Sequence, residues 1–124
     1  MIGSLMMCVS VVVLLVGMLA GITMGITQNF VLAPAHAHLN LVGGVLLFLF
    51  GLYYRLVPAA GTSALAKVQG WLHIAGGILF PLGVAAVLLK GPSAEAAPIA
   101  GSLIVVAAMV LFALIVFRTA RIPT

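Results

Sequence analysis

Four long apolar runs, separated by short polar breaks, make up most of this chain of 124 residues. A helix needs about 20 residues to cross the hydrocarbon core of a bilayer, and each run is long enough. The runs cover about residues 4–26, 34–54, 68–89 and 98–117. The breaks between them contain Asn, Gln, Gly, Pro and Ser, which favour turns. The pattern predicts an all-α integral membrane protein, a single domain of four transmembrane helices.

The composition supports a membrane location and excludes two other classes of protein. Hydrophobic residues make up 65% of the chain and charged residues 5%, whereas a soluble domain carries about a quarter charged residues. This excludes a water-soluble enzyme. The net charge of +4 comes from a few scattered cations, which cannot follow a phosphate backbone. We therefore expect lipid, and no nucleic acid, as a partner.

The charges also predict an orientation. Four cations border the second break or follow the last run, and they are Arg55, Lys67, Arg118 and Arg121. The opposite side carries Lys90, with Glu95 nearby. Because positive residues favour the cytoplasmic side, we expect a multi-pass protein of the inner (plasma) membrane with both termini in the cytoplasm. No Lys or Arg precedes the first run, so we expect that run to be a mature span and no signal peptide.

Three histidines, His36, His38 and His73, are the candidates for chemistry. Ionisable residues inside a membrane are costly and are functional candidates for that reason. No acid accompanies them in the spans, so neither a Ser/His/Asp triad nor a carboxylate proton relay is available. We therefore expect a metal or a cofactor to supply any chemistry. Neutral imidazole is a suitable ligand for iron, copper or zinc.

The most informative segment is 35–44, Ala-His-Ala-His-Leu-Asn-Leu-Val-Gly-Gly. At 100° per residue, His36 and His38 point about 200° apart, so they cannot chelate one metal together. Small residues beside them leave room for a flat macrocycle, and we expect Asn40, Gly43 and Gly44 to face it. The alternatives are histidines that bind water at the membrane surface and glycines that serve helix packing.

The segment 36–41, His-Ala-His-Leu-Asn-Leu, and the helix end 52–55, Leu-Tyr-Tyr-Arg, resemble a ligand-bearing helix of the heme-copper oxidase subunit I superfamily, which includes nitric oxide reductases. In that family one helix carries a His-x-His pair that binds two different hemes. Its twelve helices form three arcs of four. The resemblance implies that this chain corresponds to one arc, and that His36 and His38 are axial ligands of b-type heme iron.

The resemblance also suggests a homotrimer, because three copies are the smallest assembly that rebuilds three arcs. His36 of one subunit and His38 of its neighbour would share one heme at each interface. Two histidines per iron leave no open position, which favours electron transfer, or redox or gas sensing, over enzymatic oxygen chemistry. A redox partner protein or a quinone would exchange electrons with it.

Two other functions stay open. If only His36 or only His38 binds the iron, an open position would make the chain a gas-binding protein or a heme oxidoreductase. If the histidines bind copper, the chain would be a heme-free accessory membrane subunit. Carbon monoxide binding distinguishes the first case, and metal analysis the second.

His73 is predicted to lie about 16 Å from His38 along the membrane normal, so we do not expect the two to share an iron. The functional interpretations of His73 are a second metal site, a quinone-binding group or a polar step toward the cytoplasm. The favoured interpretation is a packing histidine bonded to a neighbouring carbonyl. Met24 could replace an axial histidine, although core filling is favoured.

Two features predict helix contacts. Gly17, Gly21 and Gly25 form a small-xxx-small stripe, which is typical of a helix-packing face. Pro81 lies inside the third run and is expected to kink it.

Overall fold

The computed structural model describes residues 1–121 and consists of antiparallel helices. Four of them are long and apolar enough to cross a membrane: α1 (Ile2–Thr27), α2 (Ala33–Leu56), α3 (Ala64–Lys90) and α4 (Ala96–Thr119). All four predicted spans are therefore confirmed as helices. Their observed ends lie within four residues of the predicted ones.

Local signals explain where the helices begin and end. Gln28, with φ 52°, ends α1 in the left-handed conformation. Pro34 lies in the first turn of α2, where a missing N–H costs nothing. Ser63 caps α3 by accepting a hydrogen bond from the Ala66 N–H at 3.1 Å. Gly91, with φ 81°, follows the last residue of α3.

The two ends of the bundle differ in composition, and we name them by their residues. The arginine end contains the start of α1 and the end of α2, where Arg55 donates to Ser4 Oγ at 3.1 Å. The end of α4 lies there too, since Tyr53 Oη and Thr119 Oγ1 are 2.6 Å apart. The histidine end contains the end of α1 and the start of α2, with His36 and His38. The start of the chain and the end of α4 thus share one end, as the charge pattern predicts.

Contacts are most extensive between chain neighbours, α1 with α2 and α3 with α4. The hydrophobic core lies toward the arginine end, where Met6, Leu47 and Tyr54 are fully enclosed. Many large apolar side chains on the outside of the helices are exposed. Such a surface suits lipid, so the fold is that of a membrane-embedded protein.

One part of α2 departs from regular α-helix. Residues Leu39–Leu46 form a π-helix between the α-helical segments Ala33–His38 and Leu47–Leu56. A uniform 100° per residue therefore fails beyond His38. The angle between His36 and His38 is unaffected, because both lie in the α-helical segment. π-helical segments are rare and frequently occur at functional sites.

A close backbone contact joins this π-helix to α3. A Cβ on Gly43 would lie 2.5 Å from the Gly77 carbonyl oxygen, so only glycine permits the approach. Pro81, four residues after Gly77, has no N–H to donate to that carbonyl. The carbonyl freed by the proline therefore lies against Gly43. Helix α3 is continuous through Pro81, and the kink stays a prediction.

Candidate functional site

His38 is held in one tautomer by the backbone of its own helix. Its Nδ1 lies 2.7 Å from the Pro34 carbonyl oxygen, one turn earlier in α2. A carbonyl only accepts hydrogen bonds, so Nδ1 carries the ring proton. Nε2 therefore keeps its lone pair, which is the form of imidazole that binds metals.

Helix α3 fixes the other side of this ring. The His38 ring meets Phe80 edge to face, with centroids 4.9 Å apart and an interplanar angle of 76°. His38 is only partly buried. It is thus oriented by a hydrogen bond and an aromatic contact while remaining accessible from one side.

His36 faces α1 and is bonded to its own helix. Asn40 Nδ2 lies 3.1 Å from His36 Nε2 and 3.4 Å from His36 Nδ1, so the amide donates to Nε2 when the ring proton is on Nδ1. Asn40 Oδ1 is buried with no hydrogen-bond partner among residues 1–121. To bind a metal through Nε2, His36 must give up the bond to Asn40. The two histidines therefore differ in readiness as ligands.

The glycine stripe of α1 packs against these two side chains. A Cβ on Gly21 would lie 3.1 Å from His36 Cε1, and one on Gly17 would overlap the Asn40 side chain. His36 and Asn40 are four residues apart, as are Gly17 and Gly21. In the antiparallel pair of helices, Gly21 therefore lies beside His36 and Gly17 beside Asn40. The predicted packing face is confirmed at these two positions, whereas Gly25 has open space beside it.

Sequence reasoning missed this role of the stripe. It identified Gly17 and Gly21 as packing residues without linking them to His36 and Asn40. The equal spacing of the two pairs was the signal that could have linked them.

A cavity of about 330 Å³ adjoins His36 between α1, α2 and α3. This is near the lower limit of ligand-binding cavities, about 300 Å³. Its walls are almost entirely apolar, formed by Ala20, Thr23, Met24, Leu32, Ala35, His36, Leu39, Pro81, Leu82 and Ala85. Met24 thus lines the same cavity as His36, as a ligand would, although the same position fits a filling residue.

The space beside Gly43 and Gly44 was expected to be open to a heme, but other helices fill it. Gly43 packs against Gly77 and Val13, and a Cβ on Gly44 would overlap the side chain of Leu14. Protein therefore occupies the space beside both glycines, because the chain uses them for helix packing. This matches the alternative interpretation of small residues, and a heme contact at these two positions stays a prediction.

His73 is completely buried in the middle of the bundle. Its Nε2 donates to the Val42 carbonyl oxygen at 2.9 Å, and its ring meets Phe50 edge to face at 4.8 Å. The bond to a neighbouring carbonyl, part of the favoured interpretation, is confirmed, and a second metal or quinone site at His73 stays a prediction. Phe80, which contacts His38, lies seven residues beyond His73, a rise of about 10 Å. The two histidines therefore contact different turns of α3, and their separation along the membrane normal stays a prediction.

No three His, Cys, Asp or Glu side chains come together in residues 1–121 as a group that could hold a metal ion. No protein-family model, curated protein or solved structure matches the chain. The resemblance to the heme-copper oxidase subunit accordingly depends on the residues of α2 and on the number of helices.

Proposed function

We propose that this chain is a membrane-embedded b-type heme protein with His38 as an axial ligand, acting in electron transfer or in redox or gas sensing. The observation that carries the proposal is the hydrogen bond from His38 Nδ1 to the Pro34 carbonyl at 2.7 Å. Histidines that bind metals usually donate their other N–H to a carbonyl or carboxylate, which fixes the tautomer and the ring orientation.

The residues around His38 fit this role. His38 would hold the iron through Nε2, Pro34 would orient the ring, and Phe80 would limit its rotation. The apolar walls around His36 suit a porphyrin edge or lipid and exclude water. A bound heme would supply one-electron chemistry that the side chains lack.

A homotrimer with bis-histidine sites is part of the proposal. The face of α2 that follows His38 is exposed and apolar at Leu41, Val45 and Leu49, so it can pack against a second copy. His36 of one subunit would be the second ligand of the heme held by His38 of its neighbour. This arrangement requires His36 to exchange its Asn40 contact for the iron.

A five-coordinate site is the second candidate. The Asn40 amide engages His36 Nε2 at 3.1 Å, which favours His38 as the only protein ligand. An open iron position would then bind a gas or support an oxidoreductase reaction. Met24, in the cavity beside His36, would be the other source of a sixth ligand.

Absorption spectra of the oxidised and reduced protein, purified in detergent, test the proposal. A Soret band, with about one heme per chain by iron analysis, supports it. Absence of heme, with copper bound instead, overturns it in favour of a copper-binding accessory subunit. Carbon monoxide shifts the reduced spectrum only if the iron has an open position. A measured mass that excludes a trimer overturns the shared-site arrangement.

We propose that the protein lies in the plasma membrane with its arginine end facing the cytoplasm, because positively charged residues favour the cytoplasmic side. In a Cys8→Ser background, single cysteines at Thr62 and Ser93 lie in opposite connections. A membrane-impermeant maleimide added to intact cells should label Ser93→Cys and spare Thr62→Cys. The reverse labelling would invert the orientation.

A further inference from the structure

Gln69 is completely buried, and its side-chain oxygen has a hydrogen-bond partner while its side-chain nitrogen has none among residues 1–121. The Tyr54 hydroxyl donates to Gln69 Oε1 at 2.9 Å. Oε1 is the acceptor in this bond, so the amide nitrogen takes no part in it. Gln69 Nε2 is therefore a donor, and it is enclosed without a protein partner in the described chain.

His73 carries the complementary unused group. Its Nε2 lies 2.9 Å from the Val42 carbonyl, which accepts the ring proton. In a neutral ring the proton can be on one nitrogen only, so Nδ1 is an acceptor. His73 Nδ1 is also enclosed without a partner among residues 1–121.

The two groups lie on the same face of α3. Gln69 and His73 are four residues apart, which corresponds to one helical turn and a rise of about 6 Å. One offers a proton and the other a lone pair, and both have lost their contact with bulk water. Buried polar groups of this kind are normally satisfied by the protein or by an ordered water.

We propose that a single water molecule binds between Gln69 and His73, accepting from Gln69 Nε2 and donating to His73 Nδ1. The water completes a chain of hydrogen bonds from Tyr54 through Gln69 and His73 to Val42. Every donor in this chain points from the arginine end toward the π-helix of α2.

The chain would orient groups without conducting protons. An amide passes a proton along only through its unfavourable imidic-acid form, so Gln69 interrupts transfer. The water instead keeps Nδ1 unprotonated and the ring proton on Nε2, directed at Val42. It thereby joins the core at the arginine end to the π-helix that carries Asn40. None of this depends on heme.

Solid-state NMR of the full chain in lipid bilayers, with ¹⁵N-labelled histidine, tests this water site. The His73→Phe variant assigns the His73 signals. We expect a ring protonated at Nε2 and a through-space contact between a water proton and Nδ1. In Gln69→Met, which keeps the volume and loses the donor, the Nδ1 signal should move toward that of a nitrogen without a hydrogen bond.

Tyr53→Phe is the matched control, because Tyr53 bonds to Thr119 and does not join this chain. It should leave the His73 signals unchanged. A proton on Nδ1, a direct bond between Gln69 and His73, or an Nδ1 signal indifferent to Gln69→Met would each overturn the inference. If Gln69→Met does not fold, the test depends on the natural protein: a contact between a water proton and His73 Nδ1 supports the inference, and its absence overturns it.

Discussion

The two ends of the bundle use polar side chains in opposite ways. Toward the arginine end, Tyr54, Gln69 and His73 are completely buried, and each makes a defined hydrogen bond across helices. At the histidine end, His36 and His38 are partly buried and bond within α2. At the histidine end, His36 also adjoins an almost entirely apolar cavity of about 330 Å³.

This difference separates the packing histidine from the proposed heme ligand. A buried imidazole whose N–H bonds to the neighbouring helix stabilises packing, as His73 does through Val42. A partly exposed imidazole that bonds to the backbone of its own helix is oriented while its second nitrogen keeps a lone pair for a ligand, as in His38, which bonds to Pro34. Both are histidines with an aromatic ring packed edge to face against them. The location of the bonding partner distinguishes them.

The largest expected effect is the loss of heme in His38→Ala. Removing the oriented ligand should lower the heme content at least tenfold while the helical content is unchanged. His73→Ala should show the opposite pattern, lower stability with heme retained in the molecules that fold. Iron per chain and the Soret absorbance of purified protein measure the first effect. Circular dichroism during heating measures the second.

Leu103→Ala, on an exposed position of α4, is the control and should keep full heme content.

His36→Ala distinguishes the bis-histidine arrangement from the five-coordinate one. Loss of heme equal to that of His38→Ala supports the shared bis-histidine site. Retained heme that binds carbon monoxide in the same way as the natural protein would show that His36 is not a ligand.

Co-expression of His36→Ala with His38→Ala provides a sharper test of the shared site. Each variant alone should lack heme, because each interface would lose one ligand. In every trimer that contains both variants, one of the three interfaces joins an intact His36 to an intact His38, so about a third of the heme should return in trimers that contain both chains. Two differently tagged chains, purified through both tags, allow the measurement. No recovery in mixed trimers would contradict heme sharing between subunits.

The fold was predictable because bilayer thickness fixes the length of an apolar run. Every span was found, and the proline, serine and glycine signals account for the helix ends at Pro34, Ser63 and Gly91. The π-helix Leu39–Leu46 was not predictable. Within it, Val42 bonds to His73 and Gly43 lies against Gly77, and hydrophobic periodicity does not report such contacts between helices.

The candidate site was predictable only in part. The opposite directions of His36 and His38 follow from their spacing, but the unequal engagement of their nitrogens does not. That difference arises because Pro34 exposes a carbonyl to one ring while Asn40 reaches the other. Gly43 and Gly44 illustrate the same limit, since small residues permit either a ligand or a helix to approach.

Gly43→Ala should destabilise the π-helical segment in the middle of α2. The new Cβ would lie 2.5 Å from the backbone oxygen of Gly77, and backbone cannot turn aside as a side chain can. We expect the free energy of unfolding to fall by about 1–3 kcal/mol. Gly25→Ala is the matched control, because nothing lies within 4 Å, and it should stabilise by about 0.4–1 kcal/mol. Unfolding titrations in detergent measure both, and equal effects would contradict the close contact.

The smallest difference in the free energy of unfolding is expected between Tyr54→Phe and Tyr53→Phe. Tyr54→Phe leaves Gln69 Oε1 buried without its donor, which should cost about 1–3 kcal/mol. Tyr53→Phe removes a bond to Thr119 Oγ1, but Thr119 still donates to the Ile115 carbonyl at 2.9 Å, so the loss should be about 0.5–1.5 kcal/mol. Unfolding titrations of the two variants in parallel measure the difference. A larger loss for Tyr53→Phe would mean that the fully buried chain through Gln69 does not stabilise the arginine end more than a half-buried pair does.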